Sequence, residues 1–473
     1  MAEISPQRDQ QFRQMRETAR DIFSNALNNA SIESAFSRHL HCERGVLRIC
    51  EDLYDFESYN RVFVVSIGKA AHTMAAALEA QVGSRLEGIV ATSVDPASLG
   101  ETGQVRGFRY FQGGHPTPTA ESIQAAESIL KSLAALDANS LVIFLLSGGG
   151  SSIVEKPVVA LEDAEISLPD LISTYRALVL SGAPIAAINA IRKHLSAVKG
   201  GRLAQAAYPA QQVSILVSDV PDSTPDALAS GPTMPDSTSI HDCERIAAEY
   251  NLIAHFPASV ADLFRQYALE ETPKSDDPAF VHARWWTVLS NKVAIDEAAI
   301  AATRAGFAVE VDNSCDDWDY ENTADYLLTR LRKLRSRVSK VCLLSGGEVT
   351  VKVCNGGIGG RNQQFALACA EKIAGADITV LSAGTDGVDG NSPAAGAVAD
   401  GSTLFRASFQ TGLQAGPQSQ AGLQSKDDAP GTAAARQALT TFNAFPYFDA
   451  VGDAILTGPT GNNLRDLRIL LAY

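Results

Sequence analysis

Leu141-Val142-Ile143-Phe144-Leu145-Leu146-Ser147-Gly148-Gly149-Gly150-Ser151-Ser152 is the stretch on which the fold turns. An unbroken apolar run suits a strand buried on both faces, the habit of a parallel sheet covered by helices. The glycines and serines that follow suit a tight exit at the carboxyl edge of that sheet, with backbone N–H groups exposed. Where a helix begins at such an exit, its positive dipole end joins those amides, and an anion, most often phosphate, is the natural guest. The spacing is not a Walker A loop, because no Gly-Lys-Ser/Thr follows, and it is not G-x-G-x-x-G. It names phosphate or carboxylate rather than a cofactor, and a plain strand-to-helix turn fits the same letters.

Outward from this stretch, apolar or β-branched runs recur at 62–67, 89–93, 213–217, 286–289, 341–344 and 378–381. Helical patterns lie between several of them, such as 119–136, with Thr119 as N-cap and Ile123, Ala126, Leu130 and Leu133 on one face. Strands alternating with helices predict parallel, doubly wound α/β sheets, in which ligands sit beyond the carboxyl ends of the strands. A polar, proline-bearing zone at 270–278 predicts a boundary between domains 1–270 and 280–473. The Gln-, Gly-, Ser- and Ala-rich stretch 410–435 reads as a surface excursion, and the Gly-Leu-Gln echo at 412–414 and 422–424 as low complexity.

With 473 residues, 45% of them hydrophobic and 20% charged, the chain can build two or three real cores. A net charge of −15 argues against nucleic acid or an anionic membrane surface as partner, and an anionic substrate then needs a local basic pocket. Seven cysteines without a C-x-x-C pair suit reduced thiols in a cytoplasmic protein. The first residues show no apolar signal core, and no apolar run is of membrane-spanning length.

Other strand exits repeat the theme. Gly68-Lys69 puts a cation just after the run 62–67, where the positive end of a helix makes it unfavourable without a negative guest. Basic residues cluster in 192–202; on a helix Arg192, Ser196 and Lys199 share one face, with Gly200 as C-cap, and a structural account fits as well as an anion site. His194, taken alone, reads as a packed or capped histidine. Asp219, after the run 213–217, suits Mg²⁺ or a hydroxyl proton, or an Asx turn closed by Pro221. Ser345-Gly346-Gly347-Glu348 and Gly359-Gly360-Arg361-Asn362-Gln363 suit anions, with Arg361 placed to stabilise a transferring phosphoryl group. Asp386 and Asp389, three residues apart, suit a hard divalent cation.

Taken in order, Gly68-Lys69-Ala70-Ala71, Gly114-His115-Pro116, residues 146–152, 192–204, Ser218-Asp219-Val220-Pro221, 229–233, 345–348, 359–364, 384–390 and Gly458-Pro459-Thr460 resemble the class II glycerate 2-kinase family, glycerate kinases with a C-terminal MOFRL domain. The resemblance spans nearly the whole chain. It implies two three-layer α/β/α domains, the first a parallel doubly wound sheet and the second a mixed sheet, with the active site in the cleft between them. It implies a monomeric or homodimeric kinase that uses ATP and Mg²⁺ to convert D-glycerate to 2-phosphoglycerate. By matching position Lys69 and Arg361 are its catalytic basic pair, joined by Asp219. Gly68, Ser147, Gly148, Gly149, Gly150, Ser151, Ser152, Arg192, His194, Gly346, Gly347, Glu348, Gly360, Asn362 and Gln363 are its nucleotide and substrate contacts, and Asp386 and Asp389 its metal ligands.

The chain departs from the family pattern in five places. Asp222-Ser223-Thr224 stands for Gly-Asp-Asp, Ala187 for a glutamate, Pro118-Thr119 for Pro-Asp, Asn391-Ser392-Pro393 for Pro-Thr-Asp and Asn443-Ala444 for Asn-Asp. Two other functions stay open. A hydroxypyruvate reductase would need a nicotinamide site, and no G-x-G-x-x-G follows a strand. A weakly active homologue that binds a nucleotide or sugar acid would fit the missing carboxylates.

Overall fold

Each of the seven apolar runs is a strand in the computed structural model, which describes residues 5–83, 86–100, 103–159, 166–353, 356–410 and 431–473. The chain forms two compact units: Ile32–Ser290, and Met1–Ser31 together with Asn291–Tyr473.

The unit Ile32–Ser290 opens with a small antiparallel sheet, β1 (Leu40–Glu43), β2 (Val46–Ile49) and β3 (Asp52–Asp55). Its main sheet holds β4 (Arg61–Ile67), β5 (Glu87–Thr92), β6 (Phe108–Gln112), β7 (Ser140–Ser147), β8 (Gln211–Val217) and β9 (Ala283–Leu289). The order is β6-β5-β4-β7-β8-β9 and every pairing is parallel. Strand order reverses between β4 and β7, so the crevice beyond their carboxyl ends is the topological switch point of the sheet. All eight residues of β7 are buried, as its apolar run requires of a central strand.

The helix Ala120–Leu133 starts at Thr119 through a capping box with Ser122. Its buried stripe is Ser122, Ala125, Ala126, Ile129 and Leu133, one residue round from the predicted face, so Ile123 and Leu130 are only half-buried. The predicted helical face of Arg192, Ser196 and Lys199 does not form. The helix Ile185–His194 ends there, and Gly200 and Gly201, at φ 57° and 86°, turn the chain into Arg202–Ala207. Buried Glu155 is the physical reason: it draws Ser196 and Lys199 off the helix to satisfy its carboxylate.

In the other unit, β10 (Ala308–Val311), β11 (Val341–Ser345), β12 (Ile378–Gly384), β13 (Gly396–Asp400), β14 (Ala454–Ile455) and β15 (Asp466–Ala472) form a mixed sheet in the order β10-β11-β15-β12-β13-β14. Only β10 and β11 are parallel; β15 enters antiparallel between β11 and β12.

The predicted domain boundary is corrected at both ends. The first helix, Pro6–Asn29, belongs with residues 291–473: Met15, Ala19, Ile22, Phe23 and Ala26 pack on Ile295, Ala298, Leu381 and Ile469. Its Arg16 forms an ion pair with buried Asp400. The zone 270–278 lies inside the parallel-sheet unit, where Thr272 donates to Asp236 at 2.9 Å and Glu271 meets His194, so polarity there marks a satisfied network rather than a linker. Most of 410–435, with the Gly-Leu-Gln echo, falls at 411–430, outside the described residues. Among the described residues no helix is long and apolar enough to cross a membrane.

Candidate active site

At the switch point the exits of β4 and β7 are tied together. Gly68, at φ +127°, lies so close to Ser147 that a Cβ would strike its hydroxyl and carbonyl, which is why only glycine fits. Ala70 N–H donates to Ser147 Oγ at 3.1 Å and Lys69 N–H to the Gly148 carbonyl at 2.9 Å. The next three glycines each admit neighbours into the space a Cβ would take. Gly148 admits the Asp219 carboxylate, Gly149 the ring of His115 and the stem of Lys69, and Gly150 the methyl group of Ala229. Ser151 Oγ meets Ser230 Oγ at 2.7 Å, and Ser152 Oγ donates to the Gly149 carbonyl at 3.3 Å.

Ser230 belongs to a run of three left-handed residues, Ala229, Ser230 and Gly231, at φ 51°, 62° and 59°. Two of them carry side chains, so the segment stores backbone strain beside the glycine loop. Lys69 reaches solvent. Burial, and then the charge of Lys69, hold the His115 imidazole below its usual pKa and so neutral. The amides of Gly148, Gly149, Gly150 and Ser151 meet no acceptor among the described residues.

Two predicted contacts are placed elsewhere. His194 is fully buried, with Nδ1 2.8 Å from the Ala190 carbonyl and Nε2 2.9 Å from Glu271 Oε1, so both nitrogens are spent on packing. Arg192 stacks on Tyr175 with its guanidinium carbon 4.8 Å from the ring centroid. The Tyr175 hydroxyl donates to Glu155, which also binds Lys199 and, at 2.6 Å, Ser196. Burial lowers Lys199 and raises Tyr175, with Glu155 opposing the first shift and adding to the second.

The mixed-sheet unit repeats the strand exit: Leu145-Leu146-Ser147-Gly148-Gly149 returns as Leu343-Leu344-Ser345-Gly346-Gly347. Here the amides are filled from within. Gly346 N–H donates to Asn313 Oδ1 at 2.8 Å, Gly347 N–H to Asn291 Oδ1 at 3.1 Å and Glu348 N–H to Asp316 Oδ1 at 2.9 Å. Arg465 grips the same Asp316 carboxylate at 2.8 and 2.7 Å. The amides of Gly346, Gly347 and Glu348, expected as nucleotide or substrate contacts, are thus met by side chains of the same unit.

The helix Arg361–Lys372 is filled likewise. Asp389 accepts from the amides of Asn362 at 3.1 Å and Gln363 at 2.9 Å, and its carboxylate takes the space a Cβ on Gly360 would need. Asn391 and Asn443 accept from Gly359 and Ile358 at 2.9 and 3.0 Å and pin the loop ahead of it. Gly360 thus leaves room for a helix cap on which the amides of Asn362 and Gln363 are spent. Burial outweighs these donors and pushes Asp389 up to about 7.

Nor do Asp386 and Asp389 form a metal pair. Asp389 turns to the helix terminus, while Asp386 Oδ1 accepts from Val388 N–H at 3.1 Å. Among the described residues no group of three or more His, Cys, Asp or Glu side chains is arranged to hold a metal ion. Arg361 is clamped by Asp466, at 2.6 Å from Nε and 3.0 Å from Nη2, and by Glu348 at 2.8 Å. Burial lowers its pKa, but these two carboxylates more than offset that and hold it above its usual range.

Sequence reasoning gave no role to His115, Ser230, Glu155 or Asp466. The first two stood inside quoted stretches, Gly114-His115-Pro116 and 229–233, so a signal was present. Asp466 lies 105 residues from the arginine it holds, and no local pattern announces that pairing.

A parallel α/β unit with an open glycine edge at its switch point, carried in one chain with a mixed-sheet unit, is the class that fold and site define. The chain belongs to the glycerate 2-kinase family with a MOFRL domain. Residues 18–265 match the family model described as a domain of unknown function (DUF4147), and residues 341–466 match the MOFRL family. A relative named D-glycerate 2-kinase, from Thermotoga maritima, is 34% identical over 417 residues, covering 87% of this chain and 90% of its own. An Agrobacterium vitis relative that carries the provisional name hydroxypyruvate reductase is 33% identical, covering 87% of each chain. Among solved structures, the crystal structure of a glycerate kinase from Thermotoga maritima superposes with a TM-score of 0.78 at 30% identity, covering 98% of this chain and all of that one.

Proposed function

We propose that this protein transfers the γ-phosphoryl group of ATP, bound as its Mg²⁺ complex, to the 2-hydroxyl of D-glycerate, giving 2-phosphoglycerate and ADP. The observation that carries this is the row of amides at Gly148, Gly149, Gly150 and Ser151 that meet no acceptor among the described residues, set at the switch point beside Lys69 and Asp219. Four N–H groups at a strand exit form an anion cradle, and Lys69 brings a point charge to it. The names of the relatives, D-glycerate 2-kinase and glycerate kinase, support the acceptor.

In the reaction the 2-hydroxyl oxygen of glycerate bonds to the γ-phosphorus, and the bond from that phosphorus to the β–γ bridging oxygen breaks. The hydroxyl proton passes to Asp219, and ADP departs with the electron pair of the broken bond. The open amides and Lys69 neutralise charge on the phosphoryl oxygens; one well-placed donor of this kind is worth about 10²–10³ in rate. Arg361 is given no step, since Asp466 and Glu348 hold its Nε and Nη2. Asp386 and Asp389 do not fit a Mg²⁺ site of the protein, so the ion belongs to the nucleotide substrate, and no step is assigned to it.

Incubation of the full chain with ATP, MgCl₂ and D-glycerate, followed by ³¹P NMR, tests this. The expected products are ADP and 2-phosphoglycerate. Oxidation of NADH with hydroxypyruvate, with no turnover of ATP, would replace the kinase by a reductase.

A further inference from the structure

One open groove in the unit Ile32–Ser290 takes no part in the steps above. Its volume is about 410 Å³, within the range of small-molecule sites, and its wall is apolar: Leu216, Pro225, Met234, Pro235 and Trp285. The indole is fixed in place, because Trp285 Nε1–H donates to the Thr233 carbonyl at 2.9 Å. Trp285 and Thr287 lie two apart on β9, opposite Ser214 and Leu216 of β8, so both present to the same face of the sheet. Asp226 adds a hydrogen-bond acceptor at the rim: Lys193 Nζ holds its Oδ2 at 2.9 Å, and a carboxylate accepts several bonds.

This chemistry selects its guest. A small hydroxy acid has little apolar surface and shares the negative sign of Asp226. A flat heterocycle stacks on indole and proline and can offer an amino group to a carboxylate.

Position supports the same guest. Pro225 and Asp226 begin the short segment Pro225–Ser230, whose last residue meets Ser151 at 2.7 Å. Four residues span at most ~14 Å, so groove and open amides stand at the two ends of one short segment. Leu216 and Met234 also share one apolar cluster with Leu146 and Ile153, which flank the glycine loop.

We propose that this groove receives the heterocyclic base of the nucleotide whose phosphates meet residues 148–151, an inference that rests on the kinase function proposed above. Thr287→Arg sets a bulky cation on the exposed lip of the groove, and Trp285→Ala removes its stacking wall. Each should raise KM for ATP at least tenfold and change kcat less than twofold. KM for D-glycerate and inhibition by inorganic tripolyphosphate, which has phosphates but no base, should stay as in the wild type. Melting temperatures check that both variants fold, and the exposed site of Thr287 makes its variant the safer reporter.

An unchanged KM for ATP in Thr287→Arg overturns the inference. So does a rise in KM for D-glycerate, which would give the groove to the acceptor, or a parallel loss of tripolyphosphate inhibition. If wild-type protein neither binds nor turns over ATP, the kinase function itself falls. If it turns ATP over and the variants match it, only the base site falls.

Discussion

β7 and β11 run out through the same five residues, Leu-Leu-Ser-Gly-Gly, and the two exits are put to opposite use. After β7 the amides of residues 148–151 meet no acceptor among the described residues, with Lys69, His115 and Asp219 against the glycines. After β11 the amides are met by Asn313, Asn291 and Asp316. The cations differ in the same sense: Lys69 reaches solvent, while Arg361 is gripped by two carboxylates. A glycine-rich strand exit is a donor array, and whether it binds a ligand depends on whether the protein has already supplied the acceptors.

The largest expected effect separates the two cations. Lys69→Ala should lower kcat about 10³-fold at unchanged melting temperature, because its amine serves charge that appears only in the reaction. A rate near that of the wild type would remove Lys69 from the mechanism. Next come the matched glycines. Gly148→Ala puts a methyl group where the Asp219 carboxylate lies, and kcat should fall about 10²-fold through misplacement of the reacting groups. Gly346→Ala collides with Asn291 and Ile295 instead, and should cost about 1–3 kcal/mol of stability in urea unfolding. Equal kinetic damage from both would erase the contrast.

Asp466→Asn removes a charge from a buried partner of Arg361 and should destabilise the mixed-sheet unit by about 3 kcal/mol, measured by the same unfolding. The smallest effect is a slope in pH. Asp389 sits at about 7 in the folded protein against an ordinary value of 3.8, so the folded state binds the extra proton. Its contribution to stability is full below pH ~4, falls as pH rises towards ~7 and is level above that. Asp389→Asn should remove this slope from urea midpoints taken between pH 4.5 and 7.5. An unchanged slope would mean that the cap is ionised throughout.

Much of the fold was legible because burial writes itself locally: seven apolar runs became strands, and glycines stand at the exits of β4, β7 and β11. The glycine edge after β7 was legible for the same reason, since Gly68-Lys69 and residues 148–152 follow their strands directly. The filled edge was not, because its acceptors are distant: Asn291 lies 56 residues from Gly347, and Asp316 32 from Glu348. Letters that signal an anion site in isolation cannot show that Asp389 already occupies it. The first helix was misplaced for a related reason, since its partners Ile295 and Ile469 come hundreds of residues later.

Hydrogen–deuterium exchange with and without a non-hydrolysable ATP analogue plus D-glycerate tests the contrast most directly, because the claim concerns amides. Slowed exchange in peptides covering 148–151, with 346–348 and 362–363 unchanged, is the predicted result. Protection at 346–348 or 362–363, with 148–151 exchanging as before, would contradict it.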